Sequence, residues 1–424
     1  MKKALLVLGG GIDQVFMIKT TKEMGYLTVC VDGNPDAPGL KLSDHSKVIS
    51  YTEVNDIINY CLNLLKQGIN LSGVTTMGSD IPHIISQIAS FFKWIGPSTE
   101  TGQWTTNKFK MKSRLKEKNI PIPRFGLVET KNDIHKLRET WDANDVIIKP
   151  TDRSGSRGVY LISQYQDLDI AFNYVKKYSL NNQIILEEYV PGLQISTETI
   201  IHEGKSITAG FAERVYSDTK GLYPNILENG GWLPSNVTKN IHKKVCTLVE
   251  DAARALKIDN GVAKGDVVIC KKRGPLIIEM AARLSGGDFS ESLIPLSTGI
   301  NYVRTAIQVA LGEKNINLAL LKSSSHDFVA NRYFFVRPGI FEGISGLNLF
   351  LHDPEVKKLE LNYKIGSQLP IIDSHATRTG VFIIKAKNKK LVEAKIRQIY
   401  ETVKFKIDGV WVSGHPNDYS PKIF

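Results

Sequence analysis

The segment GDVVICKKRGPLIIEMAARLSGG, residues 265–287, constrains this chain most, because it obliges two carboxylates to share one face of a hairpin. Val267 to Cys270 and Leu276 to Glu279 are β-prone runs, and Lys271 to Pro275 is polar turn chemistry. With the turn centred between Lys272 and Arg273, Asp266 falls directly opposite Glu279, both side chains on one face. Like charges facing each other across a ladder repel, so the pair calls for a cation between them. Oxygen-only ligands on a rigid hairpin suit Mg²⁺, with phosphate oxygens and water completing the shell. Arg283, four residues beyond Glu279, would reach the same place and can grip an anion with two parallel hydrogen bonds. Two solvated surface acids would give the same sequence. The apolar residues around Glu279 and the glycine-rich LSGG behind Arg283 favour the site.

A chain of 424 residues, 42% hydrophobic, can bury a large core and is expected to divide into two to four domains. No apolar run reaches the roughly 18 residues of a membrane span. MKKALLVLGGG resembles the start of a signal peptide, but its apolar part is only Ala4 to Leu8, and glycines and Asp13 follow; a buried first strand fits better. Cys30, Cys61, Cys246 and Cys270 are scattered without a C-x-x-C or paired histidines. They read as reduced core residues of a cytoplasmic protein. The net charge of +11 comes from short basic clusters, with no stripe interleaved with aromatics. Anionic small substrates account for that sign, and neither nucleic acid nor a membrane is expected as a partner.

Residues 1–100 alternate strand and helix: ALLVLGG, a helix from Asp13 to Met24, YLTVCVDG, a strand over Lys47 to Ser50, a helix from Val54 to Leu65, and GVTTMGS. This is the rhythm of a doubly wound parallel sheet. The glycines at 9–11, with Asp32 ending the second strand, suggest a dinucleotide fingerprint, but its third glycine would fall on Gln14. A tight turn is the equal reading, and a dehydrogenase ranks last. A basic helix follows at NKFKMKSRLKEK, stopped by Asn119 and by Pro121 and Pro123. Residues 145–190 read β-β-α-β, and 193–215 form a hairpin turning at HEGKS. Gly204-Lys205-Ser206 ends like a P-loop, but Thr199 stands where its first glycine belongs and a strand follows. Helical spacing over 290–312, a polar boundary at LKSSSHD (321–327), and strands around a helix near 390–403 complete the chain.

Three further elements point to ATP. Lys149 ends a buried strand just before TDRSGSRGV, where Ser154, Gly155, Ser156 and Gly158 can turn backbone N–H groups onto phosphates. Glu187-Glu188-Tyr189-Val190 ends a strand at Pro191-Gly192, where main-chain groups can meet an adenine edge and an acid a ribose. Taken in order, Lys108, IIKP, the Gly/Ser loop, EEYVPG, Asp266 and EMAAR closely resemble the ATP-grasp superfamily over nearly the whole chain. LGGG…VDGNPDAPGLKLSDH is similar to the pre-ATP-grasp domain of its biotin-carboxylase-like branch. VRPGIFEGISG is similar to the cap of the L-amino acid ligases and related carboxylate–amine ligases.

The resemblance implies an α/β and α+β protein. Its parts would be a pre-ATP-grasp domain (1–103) with a doubly wound parallel sheet, a central ATP-grasp domain (104–322) with a mobile lid at about 145–190, and a small α+β C-terminal cap (323–424). It implies that Lys108 and Lys149 hold ATP phosphates beneath the loop of Ser154, Gly155, Ser156 and Gly158. Glu187, Glu188 and Val190 would form the adenine hinge, with Gln194 where a ribose-binding Glu is usual. Asp266 and Glu279 would hold Mg²⁺, or Mn²⁺ in its place, and Arg283 the substrate carboxylate or the transferring phosphate. Lys149 and Arg283 would be the catalytic residues, with Glu213 and Arg214 as further substrate candidates. Asp266 replaces the Glu of many members, and Ala281 the Asn often found after the second metal acid; the amino acid ligases share that last change.

The implied activity is ATP-dependent joining of a small carboxylate to an amine through an acyl phosphate, releasing ADP and phosphate, with a homodimer as the candidate assembly. A carboxylase using bicarbonate and a nucleotide-binding protein without catalysis are the alternatives. The intact Lys149, Asp266, Glu279 and Arg283 count against the second.

Overall fold

A computed structural model describes residues 2–163, 168–325 and 327–421. The N-terminal sheet is parallel, with β1 (Lys3–Leu8), β2 (Leu27–Asp32), β3 (His45–Val48) and β4 (Asn70–Thr75) in the order β3-β2-β1-β4. Ala4 to Leu8 is wholly buried, as expected for a parallel strand covered on both faces. The third strand begins two residues earlier than the sequence reading, and the fourth lies earlier too, because the GVTTMGS run leaves the sheet after Thr75. Gly73 lets this sheet meet the helix Tyr302–Ala310: a Cβ there would lie 2.1 Å from the Ala310 carbonyl oxygen. Met17, Ile18, Val303 and Ile307 belong to one core across that joint.

The turn at Gly9–Gly11 is filled by the protein's own groups. Asp32 accepts from Gly10 N–H at 2.7 Å, and the Gln14 amide donates to the Met77 carbonyl. Two short antiparallel pairs, β5 (Phe125–Val128) with β8 (Ile184–Glu188) and β6 (Val146–Pro150) with β7 (Tyr160–Ile162), make a second sheet, β5-β8-β6-β7. It is backed by the helices Lys131–Trp141 and Leu168–Tyr178, whose apolar faces share its core.

The central sheet has eight strands. β9 (Leu193–His202), β10 (Lys205–Arg214), β11 (Gly231–Leu233), β12 (Gly261–Cys270) and β13 (Gly274–Ala281) precede β14 (Phe328–Phe334). Beyond β15 (Gly339–Ser345), β16 (Val356–Leu361), β17 (Gln368–Leu369) and β18 (Gly380–Ala386) lie β19 (Lys404–Ile407) and β20 (Val410–Ser413). The order β13-β12-β9-β10-β11-β14-β18-β16 means that β14, β16 and β18 from the C-terminal hundred residues continue the same sheet. The rest of that region forms β17-β15-β19-β20, with the helix Lys389–Thr402 packing through Val392, Ile396 and Ile399. The polar stretch 321–327 links the two regions; His326 within it lies outside the described residues.

All four cysteines are free, but only Cys30 and Cys61 are buried. Cys246 and Cys270 are partly exposed, on a helix flank and at a hairpin end, where the sequence reading placed all four in the core. Among the described residues no helix is long and apolar enough to cross a membrane.

Candidate active site

The β12–β13 hairpin pairs Asp266 with Glu279 as expected, by a different route. Cys270 pairs with Gly274, leaving a three-residue turn, and the extra residue Ile278 bulges from β13 to restore the alignment. Gly274 has φ +77°, a left-handed position that glycine fills without strain. Both carboxylates open into a cavity of about 600 Å³ between the eight-stranded sheet and the sheet β5-β8-β6-β7. Asp266 accepts from Ser196 Oγ at 2.6 Å and meets Lys264 Nζ; Glu279 meets Lys108 Nζ at 3.1 Å. Burial alone would raise the Glu279 pKa. Lys108, with Lys264 and Lys149 behind it, overrides burial and holds it at about 2.

Lys108 opens the helix Lys108–Glu117, whose N-cap Asn107 accepts from Lys110 N–H. Its backbone N–H bonds the Thr151 carbonyl at 2.8 Å, and its Nζ the Arg153 carbonyl at 2.5 Å. The helix start is thereby tied to the Gly/Ser loop. Lys149 lies 2.9 Å from Glu187, and a lysine that sequence reading missed, Lys112, lies 3.3 Å from the same carboxylate. Lys112 is 0% exposed, and burial pushes its pKa down to about 8 despite Glu187.

Glu188 points the other way, to Arg124 at 3.2 Å and Arg273 at 2.9 Å. Neither hinge carboxylate is therefore free for a nucleotide, and the hinge offers main-chain groups instead. Val190 and Gln194 line the cavity beside them.

Ser154, Gly155 and Ser156 line the same cavity, Gly155 and Ser156 in left-handed conformations that turn successive N–H groups one way. Gly158 does not line it; it packs on Tyr178 and Pro150, where a Cβ would come within 2.8 Å of the Tyr178 side chain. The loop is docked on the C-terminal region. Gly155 O accepts from His375 N–H at 3.0 Å, and Ser156 Oγ lies 3.1 Å from His375 Nε2. Low packing in this loop, expected from its Gly/Ser content, is thus offset by contacts 219 residues away in sequence.

Arg283 reaches the cavity with its guanidinium held 2.6 Å from Asp80, in the loop after β4, and donating to Leu284 O at 3.2 Å. Arg214 and Glu213 part company. Arg214 meets Glu228 at 3.0 Å in the carboxylate cavity. Glu213 turns to the other side of β10 and accepts from Asn236 N–H at 3.3 Å, so it is not part of this site. Strand alternation separates such neighbours.

Sequence reading also missed Glu228. It is held by Arg214, by Arg378 at 3.0 Å and by His375 at 2.5 Å. Burial would raise its pKa, but these three partners hold it well below the usual carboxylate range. Spacing carries no signal for this cluster, because its members come from residues 214, 228, 375 and 378 on separate elements. Arg378 is also stacked on the Tyr333 ring at 3.9 Å, and among the described residues its buried Nε has no hydrogen-bond partner.

The donor set fits a hard divalent cation beside a polyphosphate. Two carboxylates face one cavity, and among the described residues no cluster of three or more His, Cys, Asp or Glu offers a complete metal shell. Phosphate oxygens and water would supply the rest. Lys108 and Lys149 stand beside them.

Residues 105–287 match the ATP-grasp domain, and residues 332–408 match the L-amino acid ligase C-terminal domain 2. The L-arginine-specific L-amino acid ligase of Bacillus subtilis is 22% identical over 55% of this chain and 54% of its own length. The chain thus aligns with little more than half of that curated relative. The crystal structure of L-amino acid ligase from Bacillus licheniformis superposes with a TM-score of 0.81 at 20% identity, covering 95% of this chain and 98% of that one. Biotin carboxylase from Campylobacter jejuni, in its beta-gamma-ATP complex, gives 0.71 at 17% identity, covering 99% and 94%.

Proposed function

We propose that this protein is an ATP-dependent carboxylate–amine ligase acting on amino acids or similar small acids, a reading supported by the match of residues 105–287 to the ATP-grasp domain and of residues 332–408 to the L-amino acid ligase C-terminal domain 2. One observation carries the reading: Asp266, Glu279, Lys108, Lys149 and Arg283, from four separate parts of the chain, line one cavity. The division into residues 1–103, 104–322 and 323–424 and a cytoplasmic location belong to the same reading.

Mg²⁺ bound between the two carboxylates would neutralise phosphate charge and orient the oxygens for in-line transfer. Asp266 and Glu279 would hold it, and each would release its lysine in doing so. Lys108 would pass from Glu279 to phosphate and Lys149 from Glu187, so the resting ion pairs hold both ammonium groups in place. Ser154, Gly155 and Ser156 would close over the phosphates with backbone N–H groups, while Gly158 shapes the loop. Main-chain groups of 187–190 would meet the adenine, and Gln194 the ribose hydroxyls.

The substrate carboxylate oxygen attacks the γ-phosphorus, the bond to the β-phosphate oxygen breaks, and its electron pair leaves with ADP. An amine then attacks the acyl carbon and phosphate departs. Arg283, fixed by Asp80, would hold the carboxylate and then the developing oxyanion. Arg214 and Arg378 would bind the rest of the acid from the Glu228 side. The test is ADP release with Mg-ATP against a panel of amino acids and amines. Release that needs both an acid and an amine supports the ligase. Release that needs bicarbonate makes it a carboxylase, and ATP binding without any stimulated turnover makes it a nucleotide-binding protein.

A further inference from the structure

A second cavity, of about 940 Å³, lies against β10, β11 and β14 and is roofed by the helix Lys389–Thr402. Glu213 and Arg332 face it, whereas Tyr333, next along β14, lines the carboxylate cavity. Arg332 is only 3% exposed. Its Nη1 donates to the carbonyls of Asn331 at 2.7 Å and Gly231 at 3.2 Å, and its guanidinium stacks 4.2 Å from the centre of the Trp232 ring. Lys389 Nζ sits 4.9 Å from the same ring.

Among the described residues no carboxylate comes within 4.0 Å of the Arg332 guanidinium. Burial pushes its pKa down, and the nearby Tyr400, Asp218, Glu393 and Glu213 only partly oppose that. A buried cation without a paired anion is costly, and natural sites relieve that cost with an anionic partner. Carbonyls and an indole face leave Arg332 short of one.

The cavity is not simply basic. Arg397 and Lys404 add positive charge, while Glu213, Glu393 and Glu401 line it as well, and among the described residues only Glu393 of these acids is in an ion pair, with Lys389 at 3.8 Å. Such a mixed wall suits a ligand carrying both signs: a carboxylate for Arg332 and an ammonium for the acids. The space lies in the range of small-molecule sites.

We propose that this second cavity binds a zwitterionic α-amino acid or dipeptide through Arg332, at a site separate from the one that would hold ATP. The proposal stands whether or not the protein is a ligase. The two cavities meet along a shared wall, since Tyr189, Gln194, Arg214 and Tyr216 border both, while Arg332 and Lys389 line the second alone.

Titration calorimetry of the full chain, with L-alanine and L-alanyl-L-alanine as probes and acetate as the anion alone, tests it. At least one zwitterion should bind more tightly than acetate, and the preferred probe tells amino acid from dipeptide. Arg332→Gln and Lys389→Ala should each weaken that binding by about tenfold or more, while Glu279→Gln, in the other cavity, should leave it unchanged. Lys389 is half-buried at a helix start, so its variant decides the matter if Arg332→Gln fails to fold. Unchanged affinity in Lys389→Ala and in any folded Arg332→Gln overturns the proposal. So does binding lost in Glu279→Gln, equal affinity for acetate, or no binding of either probe.

Discussion

Asp266 and Glu279 face each other across a hairpin, yet each carboxylate is already matched by its own lysine, Lys264 for the first and Lys108 for the second. The repulsion expected between opposed acids is therefore cancelled without a metal, and removing an acid strands a cation. Glu279→Ala is predicted to destabilise the protein by about 1–3 kcal/mol, the cost of leaving the buried Lys108 ammonium without its half-buried partner. Both Glu279→Gln and Asp266→Asn should abolish ADP release. A urea midpoint at or above wild type in Glu279→Ala would show that repulsion dominates after all.

The same pair sets an acid limit on stability. The Glu279 pKa falls from an ordinary 4.5 to about 2 in the folded chain. Its contribution is present above the unfolded value and is lost as pH falls toward the folded one. Between those values the unfolded chain binds more protons. Wild type should lose more stability than Glu279→Gln over that interval, measured by urea unfolding at stepped pH.

Lys112 gives a dependence of the same sign at the alkaline end. Its pKa drops from 10.5 to about 8 on folding, so between those values the unfolded chain again carries the extra proton and stability rises with pH. Lys112→Met should flatten that rise. Because Lys149 still pairs with Glu187, the variant should remain folded at neutral pH. Parallel urea curves for the two proteins at pH values either side of this window would refute the assignment.

Asp80 is predicted to act through Arg283. Asp80→Asn should lower kcat while leaving nucleotide affinity near wild type, since the arginine loses its fixed direction rather than its charge. Arg283→Lys should lower turnover by about a hundredfold, the scale for losing a preorganised donor at a developing oxyanion. Wild-type turnover in Arg283→Lys would remove this residue from the chemistry.

Mg-nucleotide should slow hydrogen exchange over Thr151 to Gly158, and His375→Ala should speed it in the free protein. Unchanged exchange on adding Mg-nucleotide would argue against a phosphate role for the loop.

Much of the fold is local and therefore legible. Buried runs such as Ala4 to Leu8, the turn residues of 271–275 and the helix from Val54 carry their own periodicity. The opposed acids were legible because a hairpin turns sequence spacing into proximity. The bulge at Ile278 was not, although the resulting pair came out the same. Lys112, Asp80, Glu228 and His375 were invisible for a different reason: their partners lie on other elements, and no spacing rule connects them. Adjacency in sequence suggests that Glu213 and Arg214 share a site, whereas the alternation of a strand separates them.

His375 bonds the loop at Ser156 and pairs with Glu228 at once. Both links use the same ring nitrogen, Nε2, so a nucleotide that draws the loop away would take Ser156 from His375 and leave that N–H to Glu228 alone. Glu228 would then lean less heavily on Arg214 and Arg378, the two arginines that the proposed reaction would offer to an incoming acid. Admitting one reactant would thus ready the pocket for the other, and order of addition would follow from a single imidazole.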